Sequence, residues 1–176
     1  MKIINKIENM IDKWVKPLPH ISAKWTKMIA ENLWWIVGLG IGAAGIGLLM
    51  MIGGFFYGMS ALTGAPGYGL YLAYIYTGWW AFAIIVSMLA LFVTLILMVK
   101  AYNPLKVMHR KGWDLLFLSL LIMVGARVIS FIFNIGGLDS FRDLVFTFVS
   151  IVISVYILFE IKSYFKLERT ATIEKK

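Results

Sequence analysis

The sequence predicts an all-α integral membrane protein, a bundle of four transmembrane helices preceded by an amphipathic helix at the membrane interface. Hydrophobic residues fill 61% of the 176 positions and charged residues only 15%, whereas a soluble domain is about half apolar with about a quarter charged. A soluble globule of this size cannot hide so much apolar side chain. The composition therefore excludes an ordinary cytosolic enzyme, a disordered chain and a disulfide-stapled secreted domain.

Residues 1–30 form the first predicted segment, at the cytoplasmic face. Apolar residues recur at helical spacing over residues 3–15, and lysines and other polar residues fill the remaining positions. This pattern is typical of an amphipathic helix. Pro17 and Pro19 end that helix, and Ser22 can cap a second short one. A basic amphipathic helix beside a membrane span usually lies in the headgroup plane. Docking on a partner protein is the alternative.

Residues 31–165 form the predicted transmembrane bundle, and residues 166–176 a polar cytoplasmic tail. A helix needs about 20 apolar residues to cross the hydrocarbon. The fourth apolar stretch reaches that length when Phe141 and Ile161 are included. The four stretches run over residues 33–57, 78–99, 115–133 and 144–159.

The basic residues predict the orientation of these spans. All lysines and arginines except Arg127 and Arg142 lie before the first span, between the second and third spans, or after the fourth. An excess of basic residues marks the cytoplasmic side. We therefore expect a multi-pass protein of the plasma or inner membrane with both termini in the cytoplasm. We then expect the net charge of +8 to attract anionic lipids at the cytoplasmic face rather than nucleic acid.

Aromatic residues cluster near the predicted ends of the spans. Trp34, Trp35 and Trp113 fall at cytoplasmic ends, and several Tyr and Trp residues surround the first outer connection. Amphipathic rings prefer headgroup depth, which predicts two interfacial belts. An aromatic cage, or a pocket for a quinone or pigment, is the alternative.

Polar residues form matching rows on the third and fourth spans. The connection between these spans is short, so the two helices should be antiparallel neighbours whose polar rows face each other. The row on the third span is Ser119, Arg127, Ser130 and Asn134, and the row on the fourth is Asp143, Thr147, Ser150 and Ser154.

Arg127 is the most informative member, because a lone arginine within the bilayer costs several kcal/mol. An ion pair with Asp143, or with Asp139, would offset that cost and fix which faces of the two helices meet. Alternatively, Arg127 lines a polar cavity and binds an anionic group such as a lipid phosphate or a small anion. Extension of the side chain to outer water is a third interpretation.

The first span is rich in small residues at four-residue spacing, which lets helix backbones approach closely. We expect these residues either to pack against another span of the same chain or to mediate a homo-oligomer. The glycines assigned to helix packing are Gly38, Gly42, Gly47, Gly54 and Gly58.

The sequence lacks the motifs of common catalytic, metal-binding and cofactor-binding sites. It has no cysteine, which excludes disulfides and cysteine-bound metals, and no nucleotide-binding or zinc-protease motif. His20 and His109 fall outside the spans, so a transmembrane bis-histidine haem is excluded. Asp114 and Glu160 fall at the cytoplasmic boundary, where Glu160 can pair with Lys111. We expect no catalytic site, cofactor or metal.

Two short runs resemble those of a loosely defined group of uncharacterised small bacterial membrane proteins. The first is Lys-Gly-Trp-Asp-Leu-Leu-Phe at 111–117, and the second is Tyr-Ile-Leu-Phe-Glu-Ile-Lys-Ser-Tyr-Phe at 156–165. The resemblance covers the C-terminal part of the chain only. It implies a multi-span helical protein and assigns no functional residue.

These observations favour a non-catalytic role, as a scaffold or an accessory subunit of a larger membrane assembly. The alternative is a small oligomeric channel or transporter with a polar path near Arg127. A lipid-modifying enzyme is a weaker third interpretation, because no acid–base pair lies at one interface.

Overall fold

The computed structural model describes the backbone of residues 2–63, 70–133 and 138–165, and the side chains of residues 6–57, 82–131 and 145–165. The described chain is helical apart from short connections, and contains no strand within these ranges. Among the described residues, four helices are long and apolar enough to cross a membrane, which confirms the predicted all-helical class with four long apolar helices. The helices are α1 (Lys2–Val15), α2 (Ala23–Thr63), α3 (Leu70–Lys106), α4 (Arg110–Phe133) and α5 (Leu138–Glu160), followed by a 3-10 turn at Lys162–Tyr164.

α2 begins earlier than the first predicted span. Instead of a short helix followed by a separate span, one helix of 41 residues runs from Ala23 to Thr63. The backbone N–H groups of Trp25 and Thr26 donate to the Ser22 carbonyl, so the first turn forms directly after the proline-containing connection. Because residues 23–37 contain neither proline nor glycine, nothing in the backbone separates this turn from the span.

α3 and α4 are joined by only three residues. Met108 has a positive φ of 51°, which a helix of L-residues does not continue through. The His109 N–H donates to the Pro104 carbonyl at 2.9 Å and closes the turn. The two helices are therefore antiparallel neighbours and pack along much of their length.

Part of the predicted glycine set packs α2 against α3. A Cβ at Gly38 would lie 3.3 Å from the Tyr102 ring, and one at Gly47 would lie 3.9 Å from Leu91. A Cβ at Gly42 or at Gly54 would meet nothing within 4 Å, so these two glycines do not serve packing within the described chain. Gly58 lies in α2, but its surroundings fall outside the described side chains.

The buried core lies at one end of the bundle, where α1, the α3–α4 connection and the end of α5 meet. Trp113 is 0% exposed, so its prediction as an interfacial belt residue is wrong. Its ring stacks on Phe117 at 5.3 Å between centroids and meets the edge of Phe159 at 5.5 Å. The core residues are Val15, Ala30, Leu33, Val37, Ala101, Leu105, Trp113, Leu116, Phe117, Leu158, Phe159, Ile161 and Phe165.

Away from this end, few of the described side chains are buried. Between 6% and 22% of the residues in the most apolar window of each span are buried. The remaining apolar surface is available to lipid tails or to other membrane helices.

Gly112 of α4 lies directly against the backbone of α3, and we expect Gly112→Ala to lower the free energy of unfolding by about 1–3 kcal/mol. An added Cβ would lie 2.9 Å from the backbone nitrogen of Leu105, so α3 and α4 would have to move apart. Gly125→Ala in the same helix is the matched control, because its Cβ would meet nothing within 4 Å. The control should be neutral or stabilising, since alanine favours a helix by up to about 1 kcal/mol over glycine. Thermal unfolding in detergent measures both. Equal melting temperatures for the two variants would contradict the close α3–α4 contact.

Candidate functional site

α1 is attached to the core end of the bundle by charged side chains. Glu8 and Asp12 lie one turn apart on α1 and share the Lys162 ammonium, whose Nζ is 3.0 Å from a carboxylate oxygen of each. The Arg110 guanidinium donates to the Glu8 carboxylate as well. We call Glu8, Asp12, Arg110 and Lys162 the α1 clamp. It connects the N-terminal helix to the start of α4 and to the turn after α5.

The α1 clamp lies next to the buried Trp113. The Arg110 guanidinium carbon is 4.1 Å from a Trp113 ring centroid and Lys162 Nζ is 5.7 Å from it, distances at which cations are attracted to an aromatic face. Trp113 Nε1 donates to the Leu158 carbonyl at 2.7 Å. That carbonyl belongs to the last turn of α5, where carbonyls lack partners within the helix. The Trp113 side chain therefore satisfies a carbonyl at the end of α5 and also contacts both cations of the α1 clamp.

The connection between α1 and α2 is held on α5. His20 Nδ1 lies 2.6 Å from Glu160 Oε1, and the Glu160 side chain is only 6% exposed. The predicted pairing of Glu160 with Lys111 is therefore wrong. The Tyr156 hydroxyl donates to the Pro19 carbonyl at 2.5 Å. The His20–Glu160 contact joins residues 140 positions apart, so no local pattern in the sequence could have revealed it.

Beyond the core end, α4 and α5 part and leave a cleft of about 400 Å³. One polar row of each helix faces it, mixed with apolar side chains. We call it the α4–α5 cleft. Its lining residues are Ser119, Leu120, Met123, Val124, Arg127, Phe146, Thr147, Ser150, Ile151 and Ser154.

The cleft brings together five of the predicted polar residues, namely Ser119, Arg127, Thr147, Ser150 and Ser154. Ser130 was predicted to share their face. Its hydroxyl instead lies 2.9 Å from that of Ser87, because the helix turns Ser130 toward α3. Asn134 lies outside the described residues, and the side chains of Asp139 and Asp143 lie outside those described in α5.

The alignment of α4 with α5 shows how far along each helix the predicted ion-pair partners Arg127 and Asp143 lie. From the Trp113–Leu158 contact, Arg127 lies 14 residues along α4 and Asp143 lies 15 residues back along α5. At 1.5 Å per residue, both backbones lie about 21–23 Å from that contact. Among the side chains that the structure describes, none forms an ion pair with Arg127. The pairing of Arg127 with Asp143 or Asp139 stays a prediction.

The described residues contain no group of three or more His, Asp or Glu side chains placed to hold a metal ion. Comparison of the chain with protein-family models, with curated proteins and with solved structures finds no match. Its function is therefore inferred from its own geometry.

Proposed function

We propose that the chain is a non-catalytic scaffold or accessory subunit of a membrane assembly. α2–α5 cross the plasma or inner membrane, and both termini lie in the cytoplasm with the α1 clamp. The observation that supports this role best is the α4–α5 cleft. It is a concave polar and apolar surface within two spans, and the described side chains of the chain do not fill it.

The chemistry of the cleft fits a helix of another subunit. Its volume of about 400 Å³ falls within the range of about 300–1,000 Å³ typical of binding clefts. Apolar walls accept apolar side chains, and the hydroxyls of Thr147, Ser150 and Ser154 can hydrogen-bond across a helix interface. Arg127 lines the cleft with much of its surface exposed. An acidic or polar group on the partner would offset the cost of that charge in the bilayer.

Site-specific photocrosslinking tests this role in native membranes. A benzophenone amino acid at Met123, in the cleft, should form one discrete adduct with another protein. The same group at Val128, exposed on the same helix and absent from the cleft lining, should react with lipid. Lipid adducts alone at both positions would contradict the subunit role.

Arg127→Leu is expected to abolish recovery of that partner when the protein is purified in mild detergent. Loss of the guanidinium removes the only charged side chain described in the cleft lining, and with it the attraction for a polar group. Val128→Leu is the control, and mass spectrometry of the purified material is the measurement. If Arg127→Leu retains the partner and melts like the parent protein, neither an ion pair nor a partner depends on this residue.

The proposed topology can be tested separately, because the chain has no cysteine of its own. Single cysteines at Asn9 and at Ser163 should react with an impermeant maleimide only after the cells are opened. A cysteine at Thr63, at the end of α2, should react in intact cells. Labelling of Asn9 and Ser163 from opposite sides would overturn the four-span arrangement.

A second candidate function is a small oligomeric channel or transporter, which is favoured by the row of hydroxyls on α5 beside Arg127. In that case the Met123 crosslink should join two copies of this chain. Solute flux in liposomes should then depend on Arg127 and be lost in Arg127→Ala.

A further inference from the structure

α1 has two apolar strips, and the bundle covers only one of them. Ile7, Ile11 and Val15 lie at four-residue steps and pack on the core. Met10 and Trp14 lie beside them on the same helix, yet Met10 is 57% exposed and Trp14 is 77% exposed. Large apolar side chains this exposed, next to a packed strip, mark a surface that contacts something else.

Lysines border the uncovered strip. Lys6, Met10 and Trp14 follow one another at four-residue steps, and Lys13 lies three residues after Met10, so these side chains are neighbours on the helix surface. Both lysines are exposed, and neither forms an ion pair with a described side chain. We call Lys6, Met10, Lys13 and Trp14 the outer strip.

The acidic residues of α1 lie on the other edge. Glu8 and Asp12 are held by Arg110 and Lys162 in the α1 clamp, so their charge is directed to the bundle. α1 therefore has an acidic edge that contacts the rest of the bundle and a basic, aromatic edge that faces away from the bundle. This division leaves the positive charge of the outer strip available to an anionic partner.

We propose that the outer strip binds anionic phospholipids at the cytoplasmic face, with Trp14 and Met10 at headgroup depth and the lysines on lipid phosphates. A membrane is favoured over an acidic protein because the clamp fixes α1 against the ends of α4 and α5, where the spans leave the hydrocarbon. An exposed tryptophan beside lysines is also typical of interfacial helices. The inference rests on the proposed membrane placement and not on the proposed subunit role.

The test uses the full chain in nanodiscs, with an environment-sensitive fluorophore on a single introduced cysteine. Met10→Cys carries the label on the outer strip. Asn9→Cys carries it on the exposed polar face of the same helix, about 100° away, and serves as the matched control. We compare nanodiscs of phosphatidylcholine alone with nanodiscs containing 30% phosphatidylglycerol, a composition chosen by analogy with the surface charge of a cytoplasmic leaflet.

At Met10 the label should show blue-shifted emission and quenching by lipid-borne quenchers, and both effects should increase with phosphatidylglycerol. At Asn9 the label should report water in both lipids. Each of Lys6→Gln and Lys13→Gln should reduce the phosphatidylglycerol-dependent membrane contact about fivefold, which corresponds to about 1 kcal/mol per basic residue.

A Met10 label that reports water in both nanodiscs would overturn the proposal. If that label became buried only in native membranes, the outer strip would bind a protein and the proposal would again fail. Burial that is equal in the two lipids and insensitive to the lysines would rule out recognition of anionic headgroups. A missing partner adduct at Met123, by contrast, would count only against the subunit role.

Discussion

Trp113→Ala is expected to lower the free energy of unfolding by about 3–5 kcal/mol, the range for removing a large aromatic side chain from a core. Trp113 is fully buried and its ring contacts Phe117 and Phe159. The substitution would leave a cavity where α1, α4 and α5 meet. Trp25→Ala is the control, because Trp25 is 56% exposed. Thermal or denaturant unfolding in detergent compares the two.

Trp113→Phe separates the ring from its hydrogen bond. Phenylalanine keeps most of the apolar contact but cannot donate to the Leu158 carbonyl. We expect a loss of about 1–3 kcal/mol, the cost of leaving a buried acceptor without its donor. A Trp113→Phe variant that melts like the parent would show that this hydrogen bond adds nothing to stability.

Glu8→Gln is expected to release α1 from the bundle. The Glu8 side chain is 16% exposed and contacts two cations. Removing its charge should therefore weaken the attachment of α1 by about 1.5–3 kcal/mol, the contribution typical of hydrogen bonds to charged groups. The opening equilibrium of α1 should shift by about 10- to 150-fold. Hydrogen exchange of the α1 backbone amides in detergent measures that shift directly.

Glu31→Gln is the control for the α1 clamp. The Lys27–Glu31 pair is 3.7 Å long and both side chains are largely exposed, so its loss should change stability by no more than about 1 kcal/mol. If Glu8→Gln leaves the exchange of α1 unchanged, the apolar contacts of Ile7, Ile11 and Val15 hold the helix without the clamp.

The helical class and the four long apolar helices could be predicted because they depend on composition and on the length of apolar stretches. The grouping of basic residues also predicted which segments lie together. Arg110 at the start of α4 and Lys162 from beyond α5 meet the N-terminal helix at one end of the bundle.

The side-chain partners could not be predicted in the same way. A tryptophan at the end of an apolar stretch is typical of an interfacial residue. Trp113 is buried because α5 packs against it through Leu158 and Phe159. In a lipid-facing helix, apolar residues on every side conceal which face contacts a neighbour. Spacing therefore placed five polar residues in the α4–α5 cleft but assigned Ser130 to the wrong neighbour, since it bonds to Ser87 of α3.

The described helices differ markedly in length. α2 has 41 residues and α4 has 24, or about 62 Å and 36 Å. In the membrane placement proposed above, a tilt of about 40°, the upper end for membrane helices, would still leave α2 spanning about 47 Å along the bilayer normal, beyond a hydrocarbon layer of about 30 Å. Since both helices start near the core end, the described part of α2 extends farther from that end than α4 does. In the orientation proposed above, a soluble protein approaching from outside the cell would meet the far end of α2 before it reached the end of α4.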